Sequence, residues 1–168
     1  GHKYLYELAA NKRLIIRDAS EIKNISDLEQ EIIRRMNRDL FVVIDGLYNL
    51  DVAYDGPDAR KENIERANSL KRLADEYRIP VICTGELRKK DAKAKQDKIP
   101  TIHDLMETGK FAYNANLCLL IYPESWEDYD DEDEPILNMK YAKNKLSHIR
   151  TTDEIKFIRK TSQIKEWE

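Results

Sequence analysis

A short apolar run that ends in a single carboxylate constrains this chain more than any other feature. Five apolar residues, 40 to 44, are followed directly by Asp45 and Gly46. A run this short and this rich in β-branched side chains is typical of a parallel strand that is buried on both faces. Asp45 would then lie at the carboxyl end of the strand, which is the edge where open α/β sheets bind their ligands.

The Asp45 carboxylate at such an edge has two roles open to it. It caps the following loop or helix, or it holds a metal ion, as the second-motif aspartate of phosphate-loop NTPases does for Mg²⁺. Short motifs often arise by chance, so these residues alone leave both roles open.

Strand-like and helical patterns alternate through the first half of the chain. Strand patterns at 13–18, 40–45 and 80–84 are separated by amphipathic helical patterns at 26–38 and about 57–77, and a short helical pattern covers 3–10. Ser26 and Glu29 have the spacing of a capping box at the start of the 26–38 helix. This order predicts a parallel sheet with right-handed crossovers.

In the second half of the chain, one helical pattern is followed by four strand-like patterns. A broken helix is expected at 102–113, interrupted at Gly109, and a buried strand at 116–122. Alternating patterns at 136–142, 154–158 and 163–167 predict antiparallel strands added to the edge of the sheet. Residues 88–98 hold six basic and two acidic side chains, and 124–134 hold eight carboxylates, so both are expected to be solvated loops.

Composition narrows the class of protein. With 168 residues the chain is expected to form a single domain, and residues 1–2 resemble the remnant of a cleaved tag. The net charge of −3 gives no overall electrostatic case for nucleic acid. No apolar run approaches the length of a membrane span and no signal peptide is visible, so a cytoplasmic location is expected. Cys83 and Cys118 fall in apolar runs and are expected to be buried free thiols.

Five segments in a fixed order carry a resemblance to a known family. They are Val-Ile-Asp at 43–45, Leu-Lys-Arg-Leu-Ala-Asp-Glu-Tyr at 70–77, Ile-Pro-Val-Ile-Cys-Thr-Gly-Glu-Leu-Arg at 79–88, Ile-Pro-Thr-Ile-His-Asp-Leu-Met-Glu-Thr-Gly at 99–109 and Tyr-Ala-Lys-Asn-Lys at 141–145. Together they resemble the C-terminal ATPase domain of DnaB-like replicative helicases of bacteria and phages. The resemblance implies an α/β fold: a partial RecA-like phosphate-loop NTPase core, with a parallel central sheet flanked by helices and antiparallel strands at the C-terminal end.

The resemblance also implies roles for individual residues. Asp45 matches the aspartate on the Mg²⁺ side of the nucleotide, and Glu86 stands where the family usually has a glutamine that senses the γ-phosphate. Lys143 and Lys145 match a Lys-x-Arg pair that reaches the nucleotide of the neighbouring subunit. Residues 88–98 match a loop facing the channel of a hexameric ring, and 106–109 match a segment that cradles DNA. The implied DNA contacts are Arg88, Lys89, Lys90, Lys93, Lys95, Glu107, Gly109 and Lys110.

Several positions depart from the family pattern. The phosphate loop, Gly-x-x-x-x-Gly-Lys-Ser/Thr, is absent, so ATP and Mg²⁺ are expected only in the intact protein and no hydrolysis is expected from this chain. Glu86 would place a carboxylate near phosphate, Lys145 lacks the fork of an arginine, and Met106 removes a basic group. Single-stranded DNA and further copies of the protein are the implied partners, with this chain by itself a monomer or weak dimer.

Two alternatives remain open. In the first, the chain is a non-enzymatic module that keeps a surface for DNA or for a helicase subunit; this would explain why Glu86 and Lys145 depart from the family pattern. In the second, the chain is a related RecA-type recombinase ATPase. For each candidate residue a structural role also stands: Asp45 as a cap, Glu86 as a surface side chain, and the lysines as solvated groups.

Overall fold

The computed structural model describes residues 2–11, 13–36, 39–87, 99–105, 109–126, 129, 132–149 and 151–167. The helices are α1 (His2–Ala10), α2 (Ile25–Ile33), α3 (Ala59–Glu76) and α4 (Lys110–Asn114). The strands are β1 (Val42–Ile44), β2 (Val81–Cys83), β3 (Leu117–Pro123), β4 (Ile136–Asn144), β5 (Thr152–Ile158) and β6 (Gln163–Glu166). Short 3₁₀ turns occur at Leu47–Asn49, Ile102–Asp104 and Arg159–Thr161.

The first sheet is a β-α-β unit. β1 and β2 pair in parallel, with Val42 opposite Val81 and Ile44 opposite Cys83, and α3 forms the crossover between them. α3 begins after its N-cap Asp58, whose carboxylate accepts from the amides of Arg60 and Lys61. The α2 and α3 helices pack on one face of the sheet around a core that consists of Ile25, Leu28, Ile32, Leu50, Leu70 and Leu73.

The second sheet is antiparallel and has the strand order β3-β4-β5-β6. The three C-terminal strands were predicted from their alternating patterns, and the structure confirms their positions and antiparallel direction. They are joined to β3 through its pairing with β4, however, and not to the edge of the parallel sheet. The acidic segment 124–134 lies between β3 and β4 as expected, and four of its residues, together with the whole of 88–98, lie outside the described residues.

The strand predicted at 116–122 forms as β3, but it is not buried throughout, since Leu119 is 39% and Ile121 51% exposed.

Three further local predictions are wrong. Residues 13–18 form no strand, because no described segment offers them a ladder of backbone partners. The parallel strands are not buried on both faces, since Val43 is 60% and Ile82 50% exposed on the side away from α2 and α3. The N-cap of α2 is Asn24, whose side chain accepts from the Asp27 amide, so the helix starts earlier than the Ser26 pattern indicated.

No helix among the described residues has the length and apolar character needed to cross a membrane. Both cysteines are free and half-buried, which agrees with the predicted free thiols. Burial raises the pKa of the Cys83 thiol to about 11 and also raises the pKa of Cys118.

The half-buried Cys83, with its raised pKa, should resist alkylation until alkaline pH. In a Cys118→Ser variant at pH 8, iodoacetamide should react with folded protein on the order of a hundredfold more slowly than with urea-unfolded protein, because only the thiolate reacts. The folded rate should keep rising as the pH approaches 11, the pKa of Cys83. Equal rates for the folded and unfolded chains at pH 8 would contradict this prediction.

Candidate functional site at the carboxyl ends of the parallel strands

Asp45 and Thr84 meet where the two parallel strands end. The Thr84 hydroxyl donates to Asp45 Oδ1 at 2.6 Å and accepts from the Gly46 amide at 2.8 Å. Gly46 has φ of +77°, a conformation that favours glycine, and a Cβ there would lie 2.6 Å from Asn49 Nδ2. This closed set of hydrogen bonds fixes the orientation of an exposed carboxylate at the edge where ligands bind.

An open cavity of about 500 Å³ lies beside this carboxylate. Its wall comes from the end of β1, the first two turns of α3 and the end of β2. The lining residues include Asp45, Tyr48, Glu62, Arg66, Thr84 and Glu86. Glu86, the predicted phosphate sensor, is therefore in the same cavity as Asp45, and its side chain is exposed.

A buried guanidinium forms the floor of the cavity. Arg66 is 3% exposed, and its Nε donates to the Leu50 carbonyl at 2.6 Å. Its Nη1 donates to Asn63, and its Nη2 lies 2.6 Å from Glu62 Oε1. Because Leu50 follows the 3₁₀ turn after Asp45, Arg66 joins that loop to α3 and holds the cavity wall in place.

Sequence reasoning did not identify Arg66, Asn63 or Glu62. Asn63 and Arg66 share the helical spacing of Ala67, Leu70 and Leu73, which form the apolar stripe of α3. A charged residue on an apolar stripe is rarely buried unless it is paired. That pattern could have pointed to a buried polar network.

The described residues offer Mg²⁺ few ligands of their own. No group of three or more His, Cys, Asp or Glu side chains suited to a metal ion occurs in the part of the chain that the structure describes. Mg²⁺ usually takes one or two carboxylates and completes its shell with substrate phosphates and water. An exposed, oriented Asp45 beside an open cavity fits that mode of binding and does not fit an all-protein metal cage.

The predicted lysines lie around the C-terminus of α4. Lys143 Nζ donates to the carbonyls of Ala112 and Tyr113 at 2.5 and 2.6 Å. Lys145 is exposed just beyond β4, and its amide donates to the Asn116 carbonyl at 2.8 Å. Burial, followed by the nearby charge of Lys145, lowers the pKa of Lys143.

Lys110 belongs to the same region. Its ammonium lies 4.7 Å from the centroid of the Tyr113 ring, and that of Lys143 lies 5.8 Å from the same centroid. The structure thus brings a predicted DNA contact close to a predicted nucleotide contact. Gly109 is the N-cap of α4, whereas Glu107 and the basic residues Arg88, Lys89, Lys90, Lys93 and Lys95 lie outside the described residues.

Removal of Arg66 should be far more damaging than removal of the Glu62 charge. Arg66→Ala should lower the free energy of unfolding by about 3–5 kcal/mol, because it breaks a buried charged network. Glu62→Gln is the milder comparison; its side chain is 38% exposed and its amide oxygen can still accept from Arg66, so it should cost about 1–2 kcal/mol. Urea titrations followed by circular dichroism measure both values, and similar costs for the two variants would contradict the assigned role of Arg66.

Comparison with known proteins finds a matching family, related sequences and solved structures of the same fold. Residues 3–166 match the family described as DnaB-like helicase C terminal domain. The chain is 27% identical over 146 residues to the replicative DNA helicase DnaB of Geobacillus stearothermophilus, covering 84% of this chain and 32% of the relative. It is 26% identical over 111 residues to the replicative DNA helicase DnaC of Bacillus subtilis (strain 168), covering 66% of this chain and 24% of the relative.

Two solved structures share the fold. One is an ATPase domain, which superposes with a TM-score of 0.75 at 21% identity, covering 87% of this chain and 52% of the other. A DnaB-like replicative helicase studied for its interactions with primase gives 0.72 at 21% identity, covering 87% of this chain and 36% of the other. The chain spans about a third or less of the length of the two relatives named above. Because the family match covers residues 3–166 and the fold is shared with these two structures, this chain belongs to the DnaB-like helicase C-terminal domain family.

Proposed function

We propose that this chain is part of a motor domain that couples ATP hydrolysis to movement along single-stranded DNA and to duplex unwinding in the whole protein. The observation that carries the proposal is the oriented Asp45 carboxylate, exposed at the carboxyl end of β1 beside the cavity. Carboxylates at this edge of a sheet are suited to holding Mg²⁺ on a nucleotide.

The chain's own residues then act around a nucleotide that further parts of the protein help to hold. When bound, Mg²⁺ neutralises charge on the phosphates during phosphoryl transfer. Asp45 supplies a carboxylate oxygen toward the metal, with Thr84 holding its other oxygen in place. Glu86 lies in the same cavity and senses the terminal phosphate. Since a carboxylate repels phosphate, Glu86 acts next to the metal or beside a lysine.

Lys145 is the proposed cation for the nucleotide of a neighbouring subunit. Its side chain is exposed beyond the end of β4. Charge builds on the phosphoryl oxygens in the transition state, and a cation from an adjacent subunit stabilises that charge. Lys143 is the other member of the implied pair, and its ammonium donates to the carbonyls of Ala112 and Tyr113 at the end of α4. This arrangement requires a ring of copies, which is proposed for the whole protein.

Single-stranded DNA is the proposed second ligand. The basic residues Arg88, Lys89, Lys90, Lys93 and Lys95 would contact the phosphodiester backbone, together with Glu107, Gly109 and Lys110. Such contacts position a strand through its backbone without reading its sequence.

Binding of labelled oligo-dT to this chain should weaken steeply as salt rises. Each phosphate neutralised on a single strand contributes a slope of about −0.7 to the plot of log K against log salt. Lys110→Gln should make the slope shallower by about 0.7, whereas Lys140→Gln on β4 should leave it unchanged. Fluorescence anisotropy measures both slopes. Absence of binding at low salt, or binding that ignores salt, would remove DNA from the proposed function.

Asp45 can be tested for divalent-ion binding without any turnover. Mn²⁺ added to the labelled chain should broaden the amide resonances of Gly46 and Thr84, because these amides flank the proposed metal position. Asp45→Asn should abolish the broadening, and Asp153→Asn, an exposed aspartate on β5, should not. Unchanged broadening in Asp45→Asn would overturn the metal role.

A further inference from the structure

We propose that Lys143 is a positioning residue that ties α4 to the end of β4, and that this tie transmits contact between DNA and Lys110 to Lys145. The inference rests on the proposed function, in which Lys110 touches the strand and Lys145 touches the neighbouring nucleotide. In this inference Lys145 contacts the ligand, and Lys143 positions the backbone that carries Lys145.

The first observation is the partner of Lys143. Its ammonium donates to the carbonyls of Ala112 and Tyr113, at the C-terminal end of α4. The last carbonyls of a helix have no intrahelical donor, so an ammonium group satisfies them and stabilises the helix end. With two of its three donors used in this way, Lys143 is poorly placed to swing toward a ligand in another subunit.

The second observation is that α4 connects Lys110 to this tie within a single short helix. α4 contains only five residues, so Lys110 at its start and the carbonyls at its end move together. The Tyr113 ring lies 4.7 Å from the Lys110 ammonium and 5.8 Å from that of Lys143. Both cations are therefore attracted to one ring, and moving Lys110 changes the surroundings of Lys143.

The third observation is the short path from Lys143 to Lys145. The amide of Lys145 donates to Asn116, two residues beyond the end of α4. Between the two lysines, Asn144 is 7% exposed, and its side chain holds the amides of Leu146 and Ser147 at 3.0 Å each. Because this turn is held so closely, a displacement of α4 shifts the backbone that carries Lys145.

α4 also touches the cavity near Asp45. Phe111 packs edge-on against Tyr48, with ring centroids 5.7 Å apart, and Tyr48 lines the cavity. The Asn114 side chain donates to the Ala67 carbonyl on α3 at 3.0 Å. The same helix therefore contacts the cavity wall, Lys110 and the tie to Lys145, which is the placement that a coupling element requires.

The test is a nuclear magnetic resonance titration of the full chain with oligo-dT. In the wild type, the amide resonances of Lys110 and Lys145 should shift with the same apparent Kd. In Lys143→Met the chemical shift change of the Lys145 amide should fall at least fivefold. The Kd for oligo-dT measured at the Lys110 amide should change less than about twofold, because Lys143 lies outside the strand-binding surface. Lys143→Arg, which can still donate to the carbonyls, should restore the Lys145 response.

Controls separate this inference from other effects. Lys140→Met removes the same charge from β4 and should leave the Lys145 response intact. Unchanged β5 resonances in Lys143→Met would show that the sheet remains folded. A wild-type chain that binds DNA while Lys145 stays silent overturns the coupling alone, as does a Lys145 shift that persists in Lys143→Met. A wild-type chain that does not bind oligo-dT overturns the DNA part of the proposed function as well.

Discussion

Parallel pairing between β1 and β2 brings together two strand ends that lie far apart in the chain. Asp45 and Thr84 are 39 residues apart in sequence, and their side chains are joined by a 2.6 Å hydrogen bond. α3 spans the intervening length and packs its apolar stripe against α2, with Leu73 fully buried at the centre of the contact. The cavity exists because this crossover places the first turns of α3 beside both strand ends.

The side chains that line the cavity supply too little positive charge to bind a polyphosphate by themselves. Among the described residues that line the cavity, the carboxylates of Asp45, Glu62 and Glu86 face one guanidinium, that of Arg66. That guanidinium is occupied by Leu50, Asn63 and Glu62, so the cavity by itself presents mostly negative charge. A polyphosphate would need cations from elsewhere, which agrees with a metal ion, a phosphate loop and a neighbouring lysine.

The C-terminal half contains the second group of predicted site residues, around the end of β4. β4 pairs with β3 on one side and with β5 on the other; Lys143 lies near its end and Lys145 just beyond it. Among the contacts of the described residues given above, α4 connects this region to the cavity. The Phe111 ring packs against Tyr48, and the carbonyls at the end of the helix accept from Lys143. A helix of five residues is too short to be stable alone, so its position depends on these neighbours.

The sequence by itself determined the order of the elements from α2 to β2, the position of Asp45 at the end of β1 and the antiparallel C-terminal strands. These features depend on local patterns: the period of apolar residues, the length of each run and the polar residue that ends it. The same patterns carried the resemblance to the helicase family, because motif order is a property of the chain alone.

Only the tertiary structure decided which groups meet across the fold. The 13–18 run looks like a strand, yet a strand forms only where another backbone supplies hydrogen bonds. Val43 and Ile82 belong to apolar runs but face outward, since burial depends on what packs against each face. The bond from Arg66 to the Leu50 carbonyl and the bonds from Lys143 to its carbonyl partners join residues 16 to 31 positions apart, and no local pattern specifies contacts at that separation.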